Sequence, residues 1–396
     1  MIQISPETQL FIREHSSDDV RALALQAKKY PDINMPTAIT QIAGRQVAAE
    51  KIPSWREIEE IWYPKHLSLE QCSSEITARY KARLFQGDSL IDLTGGFGID
   101  CSFLATGFKT ATYVERQEEL CEIAAHNFPI LNLNHINVRN EDGVAYLQTM
   151  SPVDCIFLDP ARRNEHGGKT VAISDCEPNV AELEALLLSK ANRVMIKLSP
   201  MLDLSLALKE LKHTQEVHIL SVNNECKELL ILLGQTSPAE ITIHCVNLFT
   251  KGTQEEQHFV FTREQEQRSQ CTYTDSLGDY LYEPNASLLK AGAFRSIAAA
   301  YPVRKLHPNS HLYTSDTFIE NFPGRIFRIV NQCSFNKKEV KENLADLKKA
   351  NVTVRNFPAT VAELRKRLHL TEGGDTYLFA STLNNGQKVI IRCEKV

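Results

Sequence analysis

Carboxylates close four successive apolar runs in the middle of the chain. Asp92 lies in the run Leu90 to Leu93, Glu115 ends Ala111 to Glu115, Asp142 comes just after Ile136 to Arg139, and Asp159 follows Cys155 to Leu158. The first run continues into Thr94-Gly95-Gly96-Phe97-Gly98. Glycines there permit a tight strand-to-helix turn and let backbone approach a ligand that side chains would block. Glu115 stands 17 residues beyond Gly98, where a carboxylate can accept both hydroxyls of a ribose. Asp159 opens Asp159-Pro160-Ala161-Arg162-Arg163, and Lys197 ends a fifth run from Val194. Polar groups at the ends of consecutive strands converge on one cleft, so Asp159 and Lys197 are expected to meet there.

The elements that must position these groups alternate. Strands are expected at Leu90 to Leu93, Ala111 to Glu115, Ile136 to Arg139, Cys155 to Leu158, Val194 to Lys197, Val217 to Val222 and Leu229 to Leu233. Helices are expected at Asp100 to Ala105, Glu118 to Asn127, Val144 to Thr149, Val180 to Lys190 and Leu202 to Lys212. Such repetition predicts a parallel sheet covered on both faces, with ligands at the carboxyl ends of its strands. Only Asn223 to Glu228 separates the last two strands, which implies an antiparallel pair at one edge. Upstream, residues 1–86 read as helical, with a Ser cap before Glu75 opening the last helix. Downstream, Ile241 to Leu248 and His258 to Thr262 read as a hairpin and Arg263 to Thr274 as a linker. Strands at Gly324 to Val330, Thr376 to Ala380 and Lys388 to Cys393, with helices at Lys338 to Ala350 and Val361 to Leu368, complete a small α+β region.

Composition bounds the function. The 396 residues are 43% hydrophobic and 23% charged, long enough for two or three domains with their own cores. The net charge of -5 argues against a uniformly basic nucleic-acid binder. Yet residues 288–396 hold 18 Lys and Arg against 9 Asp and Glu, so the positive charge is concentrated in the C-terminal part. No secretory signal opens the chain, and no apolar run approaches the ~20 residues of a membrane span. The ten cysteines are scattered singly, as expected of free thiols in a reducing cytoplasm.

Over roughly residues 72–235 the chain resembles class I S-adenosylmethionine-dependent methyltransferases. Asp92, Gly96 and Gly98 match the family's acidic residue followed by alternating glycines, while Thr94 stands where the first glycine is usual. The resemblance implies that Asp92, Thr94 and the Gly95-Gly96-Phe97-Gly98 backbone hold the methionine end of the cofactor, Glu115 the ribose and Asp142 the adenine amino group. Asp159-Pro160 resembles the start of the Asp-Pro-Pro-aromatic signature of amino-methylating nucleic-acid enzymes, but Ala161 and Arg162 depart from it. With Lys81, Asp159, Lys197 and Glu228 the chain also resembles the Lys-Asp-Lys-Glu set of ribose 2′-O-methyltransferases.

Across the whole chain the sequence is similar to a methyltransferase family carrying a ferredoxin-like segment and a C-terminal THUMP-like domain. Gln71-Cys72-Ser73-Ser74, Lys197-Leu198-Ser199-Pro200, Glu225-Cys226-Lys227-Glu228, Tyr282-Glu283-Pro284-Asn285, Gly324-Arg325-Ile326-Phe327 and Asn356-Phe357-Pro358 carry that likeness. It implies an α/β fold: a Rossmann-like seven-stranded methyltransferase sheet with a helical N-terminal region and a small α+β C-terminal domain. The implied division is 1–86 helical, 87–275 methyltransferase with an appended hairpin, 276–323 ferredoxin-like and 324–396 THUMP-like. THUMP domains bind RNA, so an RNA substrate held by the basic C-terminal region is implied.

Other readings compete at particular residues. In a dinucleotide fingerprint a third glycine or alanine would fall at Cys101, which disfavours NAD. Departures at Thr94, Ala161 and Arg162 keep open a non-catalytic RNA-binding protein with a retained cofactor fold. A cysteine nucleophile for pyrimidine chemistry is absent from Asp159 to Glu165 and Leu198 to Asp203. Arg162 and Arg163 are read equally as a solvated pair or as phosphate ligands. Lys81 sits on an apolar-patterned helix, where a stem along the core with its ammonium in water is the common case. The twelve histidines form no His-x-x-x-His pair on a helix and are assigned no metal role.

Overall fold

A computed structural model describes residues 4–162, 172–252 and 256–396. The chain divides into two compact units, one of residues 1–215 and 229–238, the other of 216–228 and 239–396.

In the first unit helices come first: α1 (Pro6–Glu14), α2 (Val20–Leu25), α3 (Met35–Lys51), α4 (Pro53–Arg56), α5 (His66–Gln71) and α6 (Glu75–Leu84). Local chemistry sets their starts. The Ser5 hydroxyl accepts from Thr8 N, and the Asp19 carboxylate accepts from Arg21 N and Ala22 N, each satisfying donors that a helix leaves unpaired. Ser74 occupies the cap position of α6, but its hydroxyl lies 3.2 Å from Thr77 Oγ1 and caps no backbone N–H. Trp55, Ile61 and Tyr63 from this region pack with Phe97, Ile99 and Ile123 in one buried cluster. The helical region is thereby fastened to the glycine turn.

Strands and helices then alternate as the pattern predicts: β1 (Gly87–Asp92), α7 (Ile99–Leu104), β2 (Phe108–Glu115), α8 (Glu118–Ile130), β3 (Ile136–Asn140), α9 (Gly143–Thr149), β4 (Val153–Leu158), α10 (Val180–Lys190), β5 (Ala191–Leu198) and α11 (Leu204–Glu210). Strands β1 to β5 are parallel, in the order β5-β4-β1-β2-β3, with every connection a helical crossover. Buried runs such as Leu90-Ile91 and Cys155 to Leu158 suit a sheet covered on both faces. After β6 (Thr214–Val222) the chain reverses at Asn223 and Asn224, whose φ values of 50° and 69° make a tight hairpin turn. The returning β7 (Glu225–Gly234) stands next to β6 in the sheet, as the short connection implied, and its other neighbour is β5, with which it pairs antiparallel.

In the second unit β8 (Thr242–Leu248) pairs parallel with β6, and β9 (Glu256–Thr262) pairs antiparallel with β8. The hairpin is therefore present, but it lies beside β6, so that strand is no sheet edge. The expected linker is also structured. Thr262 and Gln265 form a capping box that starts α12 (Arg263–Arg268), whose Glu266 accepts from the N–H groups of Phe294, Arg295 and Ser296.

Strands β10 (Tyr280–Pro284), β11 (Arg304–Lys305), β12 (Tyr313–Ser315), β13 (Gly324–Ser334), β14 (Asn351–Val354), β15 (Thr376–Thr382) and β16 (Lys388–Lys395) make one sheet, ordered β11-β12-β10-β13-β16-β15-β14. Helices α13 (Ala286–Ala291), α14 (Ser296–Ala300), α15 (Lys337–Leu344) and α16 (Val361–Leu368) accompany it. Glu283 on β10, 2% exposed, accepts from Arg325 on β13 at 2.8 Å and from Arg355, just beyond β14, at 3.1 Å. Among the described residues no helix is long and apolar enough to cross a membrane.

Replacing Glu283 by Ala removes the acceptor of both arginines, which keep partial access to water. The expected loss is about 1–3 kcal/mol, read as a lower urea midpoint at unchanged slope.

Candidate active site

Parallel register puts the ends of β1, β4 and β5 side by side, with Asp92 opposite Phe157 and Leu158 opposite Ile196. Asp159, just past β4, and Lys197, near the end of β5, are joined as an ion pair. Lys197 Nζ also lies 3.4 Å from Asp100 Oδ2. Asp100 belongs to the first turn of α7, directly after Gly98, which takes φ 87° at the helix start. Its Oδ1 lies 2.9 Å from Lys81 Nζ, and its Oδ2 accepts from Ser73 Oγ at 2.7 Å. Lys81 Nζ donates to the same Ser73 hydroxyl at 2.9 Å. Five side chains from α6, its approach, α7, β4 and β5 thus form one polar cluster.

The Lys81 side chain is wholly buried, which corrects the expectation that its ammonium reaches water. Burial alone would raise the Asp100 carboxyl, but Lys81 first and then Lys197, helped by the Ser73 hydroxyl, hold it down at about 2. Asp159 behaves oppositely: burial raises its carboxyl above the usual value against the pull of Lys197. Its side chain keeps 35% exposure, the most open face of the cluster. A carboxylate so tuned and held by an ammonium can orient an acceptor and take its proton.

The glycine turn has three distinct constraints. A Cβ on Gly95 would lie 2.2 Å from the Tyr113 ring, so that glycine serves packing. Gly98 has left-handed backbone and lies against Phe128. A Cβ on Gly96, which has φ 55°, would among the described residues meet only the Thr94 carbonyl at 3.7 Å, so this part of the turn offers bare backbone. Glu115 clamps the turn, its Oε2 accepting from Gly96 N and its Oε1 from Gln117 N, both at 2.9 Å. A second lone pair on each oxygen stays available to a diol.

Thr94, the departure from the glycine pattern, accepts from Asp159 N at 2.6 Å and ties the β1 turn to the β4 turn. Asp92 Oδ1 accepts from Thr94 N at 3.0 Å, whereas buried Asp92 Oδ2 has no hydrogen-bond partner among the described residues. Burial pushes the Asp92 carboxyl well above its usual range. A cationic amino group would satisfy that orphaned oxygen, so the residues fit a nucleoside with an ammonium-bearing tail. Phe97 turns the other way, packing edge-on against Trp55 at 5.3 Å, and offers the turn only its backbone. Asp142 is exposed and caps α9, with Oδ1 accepting from Val144 N and Ala145 N. Pro160 is buried behind Asp159.

Glu228 falls in the second unit and is buried, whereas Glu225 is exposed and pairs with Lys227. Arg163 and the side chain of Arg162 lie outside the described residues. Cys155 is buried, with its thiol pushed up to about 11 by that burial, and Cys176 is buried beside the short strand at Ala161–Arg162. Neither resembles a poised nucleophile. Sequence reasoning missed Asp100 and Ser73. The usable signal was Lys81 itself, a charge on the buried stripe of α6 that requires a counter-ion.

A solved structure from Porphyromonas gingivalis W83, described as a "putative methyltransferase", is 34% identical over 100% of this chain and 100% of that one, with a TM-score of 0.87. The chain belongs to this class I methyltransferase family. The family's accessory parts also match: a ferredoxin-like domain over residues 280–323 and a THUMP domain-like region over 324–395. In this family member the two parts share one continuous sheet, since β10 of the first pairs with β13 of the second. An rRNA methylase from Streptococcus thermophilus is 14% identical over 40% of this chain and 93% of that one, at TM-score 0.29. A "putative methyltransferase" from Streptococcus mutans in complex with SAH is 13% identical over 40% and 96%, at 0.30. Those two likenesses are too slight to carry any argument. No curated protein matches the chain.

Asp100→Asn would leave the buried Lys81 ammonium without its charge partner, at an expected cost of about 3–5 kcal/mol in urea unfolding. Because the Asp100 carboxyl is depressed in the folded state, its stabilisation is present above its unfolded pKa near 4 and is lost as pH falls through about 2. Acid titration of wild type should therefore show a loss of stability over that range that Asp100→Asn lacks.

Proposed function

We propose that this protein transfers methyl groups from S-adenosylmethionine to structured RNA, ribosomal or transfer RNA, in the cytoplasm. The observation that carries the reading is the Asp159–Lys197 pair at the rim of the glycine turn, backed by Asp100, Lys81 and Ser73. When bound, S-adenosylmethionine supplies a methyl group activated on a sulfonium. Asp92 receives the amino group of the methionine end and Glu115 the ribose hydroxyls, while the Gly96 backbone leaves room for the chain between them. Asp142 keeps one oxygen beyond its capping role for the adenine amino group. Asp159 takes the proton that the acceptor loses, and Lys197 holds that carboxylate in line and stabilises its charge.

The C-terminal region supports RNA as the acceptor. Residues 324–396 hold 14 Lys and Arg against 7 Asp and Glu. On α16, Lys366 and Arg367 are exposed, and the Arg367 guanidinium lies over the Phe335 ring at 4.1 Å. Phe335 in turn meets Phe357 edge-on at 4.8 Å. Half-exposed rings beside cations suit phosphate contact and stacking of unpaired bases. The cytoplasmic placement rests on the ten cysteines, all described and all free. Cys101, at the third position of a dinucleotide fingerprint, is fully buried, and nothing specific favours NAD.

Two measurements test this. Asp159→Asn and Lys197→Ala should keep adenosylhomocysteine affinity within about twofold yet lower labelled methyl incorporation into RNA by about 10²-fold or more. Asp92→Asn should instead weaken adenosylhomocysteine binding about tenfold or more. Full methylation by the Asp159 and Lys197 variants would remove the catalytic assignment. Separately, Lys366→Ala with Arg367→Ala should flatten the logarithmic salt dependence of RNA binding by about 1–2 units and leave cofactor affinity unchanged.

A further inference from the structure

The second unit holds a cluster of ligating side chains that the active site does not use. Strands β6 and β8 pair in parallel with His218 opposite His244 and Glu216 opposite Thr242. Alternation along β6 puts Glu216 and His218 on one face, and His244 stands beside them on the next strand. The two imidazole rings stack, with centroids 4.3 Å apart and planes 5° from parallel. Glu216 Oε2 lies 3.1 Å from His218 Nε2 and 3.7 Å from His244 Nε2. One ligating atom from each of the three residues lies within 4.8 Å of the other two.

The two separations from Glu216, 3.1 and 3.7 Å, straddle what a small ion imposes. Four tetrahedral ligands on zinc bonds of ~2.0–2.2 Å stand roughly 3.3–3.6 Å from one another. At 3.7 Å the His244 nitrogen and the Glu216 oxygen are beyond hydrogen-bond distance yet face each other, the spacing of two groups that share a cation. From β9, His258 Nε2 comes within 3.2 Å of His244 Nδ1. That contact engages the far nitrogen of His244 and turns Nε2 toward Glu216, the way an outer partner orients a metal-bound imidazole. His218 is 2% exposed, so two of its polar atoms are bought into the interior for some purpose other than solubility.

We propose that Glu216, His218 and His244 form a divalent transition-metal site, with zinc as the ion and His258 as the residue that positions His244. Two imidazoles and a carboxylate are the donor set that zinc accepts readily, and a fourth position is left for water. The ion clips β6 to β8. No His-x-x-x-His spacing announces such a site because its ligands come from separate strands.

The test uses full-length protein stripped with a chelator and titrated with Zn2+ alone against a chromophoric zinc indicator. One equivalent should bind and raise the thermal midpoint. His244→Ala and Glu216→Gln should each weaken binding by about 100-fold or more, and His258→Ala by about 10–100-fold. Glu216→Gln keeps side-chain size, so it reports even if a histidine variant folds poorly. Co2+ in place of Zn2+ should give visible bands without thiolate charge transfer. No binding by wild type, equal binding by Glu216→Gln and wild type, or a thiolate spectrum from one of the cysteines would each overturn the assignment.

Discussion

An ammonium group cannot be sealed from water without a partner, and the candidate active site is organised around that constraint. Lys81 is wholly buried on α6. The penalty for desolvating such a group is several kcal/mol and is offset only by good pairing and full hydrogen bonding. Asp100 and Ser73 supply both. Asp100 is thereby fixed in the first turn of α7, immediately after the glycine turn, where it also draws Lys197 to its second oxygen. Lys197 then holds Asp159. One buried charge therefore sets the positions of Asp100, Ser73 and Lys197, through contacts of 3.4 Å or less.

Much of this was legible in advance because strand ends are chemically conspicuous. Asp92, Glu115 and Asp159 each close a short apolar run, and parallel pairing brings the ends of such runs together whatever the details of the loops. Val180–Lys190 and Val361–Leu368 are helices with the limits their patterns suggested. What stayed hidden was of another kind. Asp100 and Ser73 matter through Lys81, and a pairing between residues on two helices leaves no local spacing to read. The same holds for Glu216, His218 and His244, which meet only because β6 and β8 are neighbours. The structured stretch after β9 escaped notice because its polar composition resembles a loop, while Glu266 in fact caps α14.

Thr94 shows how a departure from a motif can be informative. A glycine there could not accept the Asp159 N–H, so the threonine hydroxyl couples the glycine turn after β1 to the turn after β4. In the C-terminal region, the ferredoxin-like and THUMP-like parts share strand pairing and the Glu283 ion cluster, so they form one folded body. The net charge of -5 for the whole chain conceals that this body is basic. A positive field there can steer a polyanion, and the acidic remainder disfavours loose wrapping.

The most direct measurement compares nucleosides by mass spectrometry in ribosomal and transfer RNA from cells with and without this protein. The account predicts that one methylated nucleoside is missing without the protein and returns with the wild-type chain but not with the Lys197→Ala chain. Identical nucleoside profiles in the two cell lines would contradict it.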